Sequence, residues 1–374
     1  MSENTTIKAN KKMRLYNPNR FNAMDSGICY ILVLVVFLVI PHALKYFLGD
    51  FLLRVYKYDY FAYAIINAFI SQSAIFLIAL VYGLIRRTKV FQGGGYKAKW
   101  DGVQVLMSVI LIIGVMMLFY FTHLFFSKYV GLVKDTSLEV EQNLSLFAPL
   151  FCIVYLLEIA IFPAIAEEML FRGIIMRGLE QFGSLFAVIC SSAMFSLMHG
   201  NFSQIILQFI GGIAIGGVVM ITKNYLLGCA MHFTNNLFSV FYTFMVTLLV
   251  DNPIYRKVIG VTGAFSILLG VVFTLIGVIY FLSLLFEKEK NKALSKETTN
   301  KFEIKKKYAV KIGETEYVSS YQNQPQLVAR GEEDDRLFFI RGKYRKLNKK
   351  ANPTISLILI CIGLATALAV IFFG

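Results

Sequence analysis

Glu167 and Glu168, with Arg172 four residues after the second, stand at the end of an apolar run from Leu146 to Ala166. Carboxylates beside hydrocarbon are costly to keep, and an ionisable side chain at membrane depth marks a functional site. His199, His232, Asn235 and Asn236 interrupt later apolar runs in the same way. A carboxylate can take a proton from water, and an imidazole can help it. An imidazole and an amide can donate to a developing oxyanion. These are the parts that hydrolysis of a peptide bond would need, gathered in a water-containing cavity.

On a helix, residues four apart share a face, while adjacent ones point about 100° apart. Glu168 and Arg172 are therefore expected to pair, which lowers the cost of burying both. Glu167 points elsewhere, without that partner, and is poised to take a proton from water. The plain alternative is an ion pair at the membrane edge, with Glu167 reaching out to solvent. His199 closes the run Phe195-Ser196-Leu197-Met198 and is equally compatible with a packing role. His232 and Asn236, at i and i+4, share a face; such a pair can bind a metal, donate to an oxyanion, or join helices as polar glue. His42 and His123 have no such neighbours and read as interfacial.

The elements that must position these groups are apolar helices. The 374 residues are 57% hydrophobic and 16% charged, with a mean hydropathy of +0.64. Apolar runs of 18 or more residues are candidate membrane spans. Stretches that read as spans fall at Ile28–Leu48, Phe61–Ile85, Val103–Phe126, Leu146–Met176, Ser184–His199, Phe202–Thr222, Tyr225–Val250, Val258–Phe286 and Thr354–Phe373, the fifth being short and expected to make a partial or tilted crossing. The fold class is thus all-α: a polytopic transmembrane bundle of about eight core spans, a C-terminal ninth and a small cytoplasmic insert. Pro163 should kink the fourth run. Gly212 and Gly216 let helix backbones approach closely, a packing feature.

The net charge of +14 reads as loop lysines and arginines near anionic headgroups, with no call for nucleic acid. With the N-terminus inside and strict alternation, 30 of the 37 Lys and Arg residues lie in inner segments. That places the protein in the cell membrane, N-terminus cytoplasmic and C-terminus outside. Residues 1–27 form a basic cytoplasmic segment, 28–286 the membrane core, 287–352 a basic cytoplasmic insert and 353–374 the last helix. Within the insert, alternation at Phe302–Ile312 and Arg336–Leu347 allows a few strands. Five scattered cysteines argue against a disulfide framework or a cysteine-type zinc site.

Glu167-Glu168-x-x-x-Arg172, Phe195-x-x-x-His199 and His232-x-x-x-Asn236, in this order on successive runs within 146–250, resemble the CAAX-protease and bacteriocin-processing family of intramembrane peptidases. The resemblance implies about eight spans and cleavage of a membrane-anchored or lipid-modified peptide. It implies that Glu167 and His199 activate water, that His232 and Asn236 stabilise the oxyanion, and that Glu168 and Arg172 hold the architecture. The family is often labelled a metallopeptidase, and Glu167, His199 and His232 would be the ligands of a divalent metal such as zinc. A glutamate-activated water without metal suits the sequence at least as well, since no His-Glu-x-x-His helix is present. The expected partners are the lipid bilayer and a peptide substrate entering sideways, with Arg172, Arg177 and Lys223 along its approach. The insert and the ninth span lie outside the family core, so a chain cut before Glu287 should keep a folded core. The rivals are a non-catalytic immunity or scaffold protein of the same fold, and a proton-coupled transporter. The lack of repeated halves lowers the latter.

Overall fold

The computed structural model describes residues 21–58, 60–86, 99–130, 153, 156–200, 202–249, 265–291 and 352–373. Among them the chain is helical, with no strand. In order run α1 (Ala23–Tyr58), α2 (Tyr60–Ile85), α3 (Gly102–Val130), a composite α4 (157–182), α5 (Ser184–Met198), α6 (Phe202–Thr222), α7 (Tyr225–Leu249), α8 (Phe265–Asn291) and α9 (Pro353–Phe373). The all-α polytopic bundle read from the apolar runs is what the chain adopts. Four of these helices carry stretches long and apolar enough to cross a membrane, at Gly102–Phe119, Gln204–Thr222, Phe265–Asn291 and Pro353–Ile371. Shorter apolar stretches lie at Ala23–Phe37, Phe69–Ile85 and Ser184–Met198. The expected strands at 302–312 and 336–347 fall outside the described residues, as does most of the basic N-terminal segment.

The chain divides into one compact unit of 1–278 with 350–374 and a second of 279–349. The first holds every candidate site residue. Five helix ends in it are tied together by polar contacts. Asp25 of α1 accepts Tyr82 Oη at 2.8 Å and pairs with Arg86 at 3.1 Å. Ala23 N–H donates to Gln181 at 3.2 Å, and Lys223 meets Glu180 at 3.2 Å. Asn224 Nδ2 donates to the Lys99 carbonyl at 2.7 Å. The start of α1, the end of α2, the residues before α3, the end of α4 and the α6–α7 link thus share one end of the bundle. Residues 27 and 30 of α1 lie against 359 and 363 of α9, so these two helices run parallel. A methyl group on Gly27 would come within 2.8 Å of Leu359 Cβ, so α9 is built into the unit that holds α1. A chain cut before Glu287 would strip that face of α1.

Pro163 is accommodated differently from a simple kink. A π turn, Leu157–Ile161, precedes the α segment Phe162–Leu170, and Phe162 N–H reaches back to the Leu157 carbonyl. The wider turn absorbs the hydrogen bond that a proline cannot make. A second π turn, Phe171–Met176, follows at once. The glutamate pair therefore sits on a nine-residue α segment between two π turns. Gly183, at φ +112°, reverses the chain directly into α5, a conformation that glycine adopts without penalty.

Candidate acid–imidazole site

Glu168 and Arg172 form the expected pair: Arg172 Nη1 lies 2.6 Å from Glu168 Oε1, with the two side chains 1% and 0% exposed. In so dry a place a charged arginine needs its donors used; both Nη groups are, while Nε is buried without a hydrogen-bond partner. Arg172 Nη2 donates to the Gly212 carbonyl of α6 at 3.2 Å, and the guanidinium lies 4.9 Å from the centre of the Phe195 ring. Gly212 makes this possible, because a methyl there would press on Ser192 of α5 at 3.1 Å. The glycine pair is thus packing, as its spacing indicates, and it also presents a backbone acceptor to the motif arginine.

His232 of α7 joins the two glutamates. Its Nδ1 is 2.9 Å from Glu168 Oε1 and its Nε2 is 3.6 Å from Glu167 Oε2. The first is a hydrogen bond; the second is too long for one. Glu167 Oε1 is held from another direction by Gln72 Nε2 of α2, at 2.7 Å. One turn before His232, Gly228 clears space for Glu168: a methyl there would sit 2.8 Å from Glu168 Oε2.

The Phe195-x-x-x-His199 motif has a physical reason in the structure. His199 closes α5, and its Nδ1 lies 2.9 Å from the Phe195 carbonyl. A carbonyl only accepts, so Nδ1 carries the proton and the neutral ring keeps Nε2 as an acceptor. The Phe195 ring meets the His199 imidazole edge-on at 5.0 Å and the His232 imidazole at 5.6 Å. One aromatic ring thus touches both imidazoles.

Asn236 lies one turn beyond His232 on α7. Its Oδ1 accepts from Asn235 Nδ2 at 3.2 Å, which leaves its own NH2 uncommitted. The structure brings Glu167, Glu168, Arg172, His199 and His232 into one cluster around Phe195. It puts Asn236 on the same helix as His232 but shows no hydrogen bond from it to the glutamates. Arg177 does not line an approach: it is 2% exposed and pairs with Glu180 at 3.0 Å, as burial of its charge requires. Arg172 is equally enclosed, and of the three cations expected there only Lys223 is half-exposed.

Among the described residues no three or more of His, Cys, Asp and Glu converge as ligands. His199 Nδ1 meets a carbonyl, Glu167 Oε1 an amide and His232 Nδ1 Glu168, so the atoms left to face a ligand are Glu167 Oε2, His199 Nε2 and His232 Nε2. Sequence reasoning missed Gln72 and Gly228. The only signal for the first was a polar side chain within the second apolar run; for the second, a glycine one turn from a motif histidine.

Fold and cluster together define a polytopic α-helical membrane protein with a glutamate–histidine centre inside its bundle. The family model described as type II CAAX prenyl endopeptidase Rce1-like matches residues 148–238. That segment contains all three motifs, and the resemblance to the CAAX-type proteases holds over it. No curated protein and no solved structure matches the chain.

Proposed function

We propose that this protein is an intramembrane endopeptidase that cuts a membrane-anchored or lipid-modified peptide with water activated by Glu167. Glu167 Oε2, the oxygen that Gln72 leaves free, takes a proton from water as the oxygen attacks the peptide carbonyl carbon. His199 Nε2 accepts from the same water and orients it. The gap of 3.6 Å between His232 Nε2 and Glu167 leaves Nε2 open to the tetrahedral oxyanion; with Nδ1–H given to Glu168, it donates there in the imidazolium form, with the NH2 of Asn236 beside it. The C–N bond then breaks, and the proton held by Glu167 passes to the departing amine. Glu168 and Arg172 hold the three helices that present these groups. The distribution of Lys and Arg supports a cytoplasmic face for the end of the bundle that joins α1, α2, α4 and the α6–α7 link, with the N-terminus inside.

The observation that carries this reading is the arrangement around Phe195, with both imidazoles against its ring and the carboxylate pair against His232. The test is mass spectrometry of membrane peptides from cells carrying wild type or Glu167→Ala at equal expression. Cuts present only with wild type support the peptidase; identical peptides refute it.

One observation favours a second reading. Both His232 nitrogens face carboxylates, so the cluster also serves as internal polar glue in a non-catalytic scaffold. Such a protein would keep its phenotype with Glu167→Ala.

A further inference from the structure

Gln72 lies on α2, outside the segment 148–238 that matches the peptidase family. It sits at the seam between α2 and α4. Phe69 and Phe76, on the same face of α2, both pack on Phe162 of α4, with ring centres 6.4 and 5.9 Å apart. That seam delivers the Gln72 amide to Glu167. A carboxylate only accepts, so the amide must present its Nε2–H to it, at 2.7 Å. The other end of the amide is then fixed. Gln72 Oε1 is a buried acceptor with no hydrogen-bond partner, about 2.2 Å from Nε2 across the planar group.

Buried acceptors without partners are rare and call for an explanation. Arg172 points its Nη groups at Glu168 and Gly212, its buried Nε makes no hydrogen bond to Gln72 or to any other group, and His199 spends its ring N–H on Phe195. The missing complement is a donor brought from outside. A peptide entering a dry cavity must place its backbone N–H groups on acceptors, and the cluster otherwise offers carboxylates and donors. We propose that Gln72 orients the substrate: its Nε2 holds Glu167, and its Oε1 accepts a backbone N–H of the peptide being cut. One rigid amide would thereby set the distance between the base and the peptide strand. This inference rests on the peptidase reading and adds to it a contact made by α2.

The test uses the full chain in liposomes. The probe is a synthetic peptide carrying the most abundant Glu167-dependent cut found in membrane peptides, with analogues in which each of the two peptide bonds on either side of the cut is an ester. An ester removes the N–H and leaves the rest of the strand. In wild type, one of these replacements should raise KM about tenfold, the worth of one such bond. Gln72→Met should raise KM for the all-amide peptide by a similar factor and lower kcat, and the sensitive ester should then cost nothing further. A merely structural glutamine would lower activity without interacting with any one peptide bond. Gln72→Asn, which draws the amide back by one methylene, serves the same cycle if Gln72→Met does not accumulate. Losses that multiply at every position, or cleavage by Gln72→Met at wild-type KM and kcat, overturn the inference alone. Absence of any Glu167-dependent cut overturns the peptidase reading and the inference with it.

Discussion

Arg172→Ala tests the cluster's architecture apart from its chemistry. Arg172 is fully enclosed, so removing it strands Glu168, and an uncompensated buried partner costs about 3–5 kcal/mol. The Gly212 carbonyl loses its donor at 3.2 Å, adding about 1–3 kcal/mol. The contact with Phe195 adds about 1 kcal/mol. One effect opposes these. His232 Nδ1 is 2.9 Å from the same oxygen of Glu168, and as an imidazolium it would return about 1.5–3 kcal/mol through a charged hydrogen bond. The net loss is about 4 kcal/mol, a large share of a stability of about 5–15 kcal/mol. The assay is twofold: protein accumulated in membranes with its resistance to denaturant, and turnover per folded molecule. Accumulation should fall far more than turnover. Restoring the balance gives the sharper check. Removing both partners of a buried pair is often near neutral, so Glu168→Gln with Arg172→Met should be clearly more stable than Arg172→Met alone. A double variant no better than the single, or normal accumulation of Arg172→Ala with turnover lost, would refute this account.

Glu167→Ala and His199→Ala should each abolish cleavage, and their combination should cost little more, because groups that act on one water are not additive; independent losses measured on single and double variants would separate them. Gly228→Ala puts a methyl 2.8 Å from both Glu168 Oε2 and Val219 Cγ2 and should cost about 1–3 kcal/mol, whereas Gly217→Ala, with open space around it, should leave the unfolding midpoint within about 0.5 kcal/mol of wild type. A chain ending at Asn291 loses α9 and bares Tyr30, whose ring lies 2.6 Å from where a Gly363 methyl would sit; its yield and detergent stability should drop, and an unchanged pair of values would show that α9 is dispensable. A zinc chelator should leave cleavage intact if Glu167 alone activates water, and loss restored by added zinc would argue for a bound metal.

How much could be read from the chain depended on where each residue's partner lies. Apolar length marks a helix directly, so α6 ends and α7 begins where Lys223 and Asn224 break the run. A partner on the same helix is equally legible, since the four-residue spacing that predicts Glu168 on Arg172 is the spacing that pairs them at 2.6 Å. The same spacing puts Asn236 beside His232 and says nothing of what His232 meets across the bundle. That depends on how α7 is rotated against α4. The two π turns were invisible for a related reason: composition carries no mark of an i to i+5 hydrogen bond, and only Pro163 hinted at a disturbance. Gln72 is 95 residues from Glu167, flanked by two serines that a span tolerates, so nothing local distinguishes it from harmless polarity. The cross-helix contacts left one trace. Gly212 sits under Arg172, and Gly228 under Glu168, because a buried charge needs backbone close enough to meet it and a side chain would hold that backbone away. In an apolar helix, then, a glycine one turn from a polar side chain points to a charge on a neighbouring helix as well as to close packing.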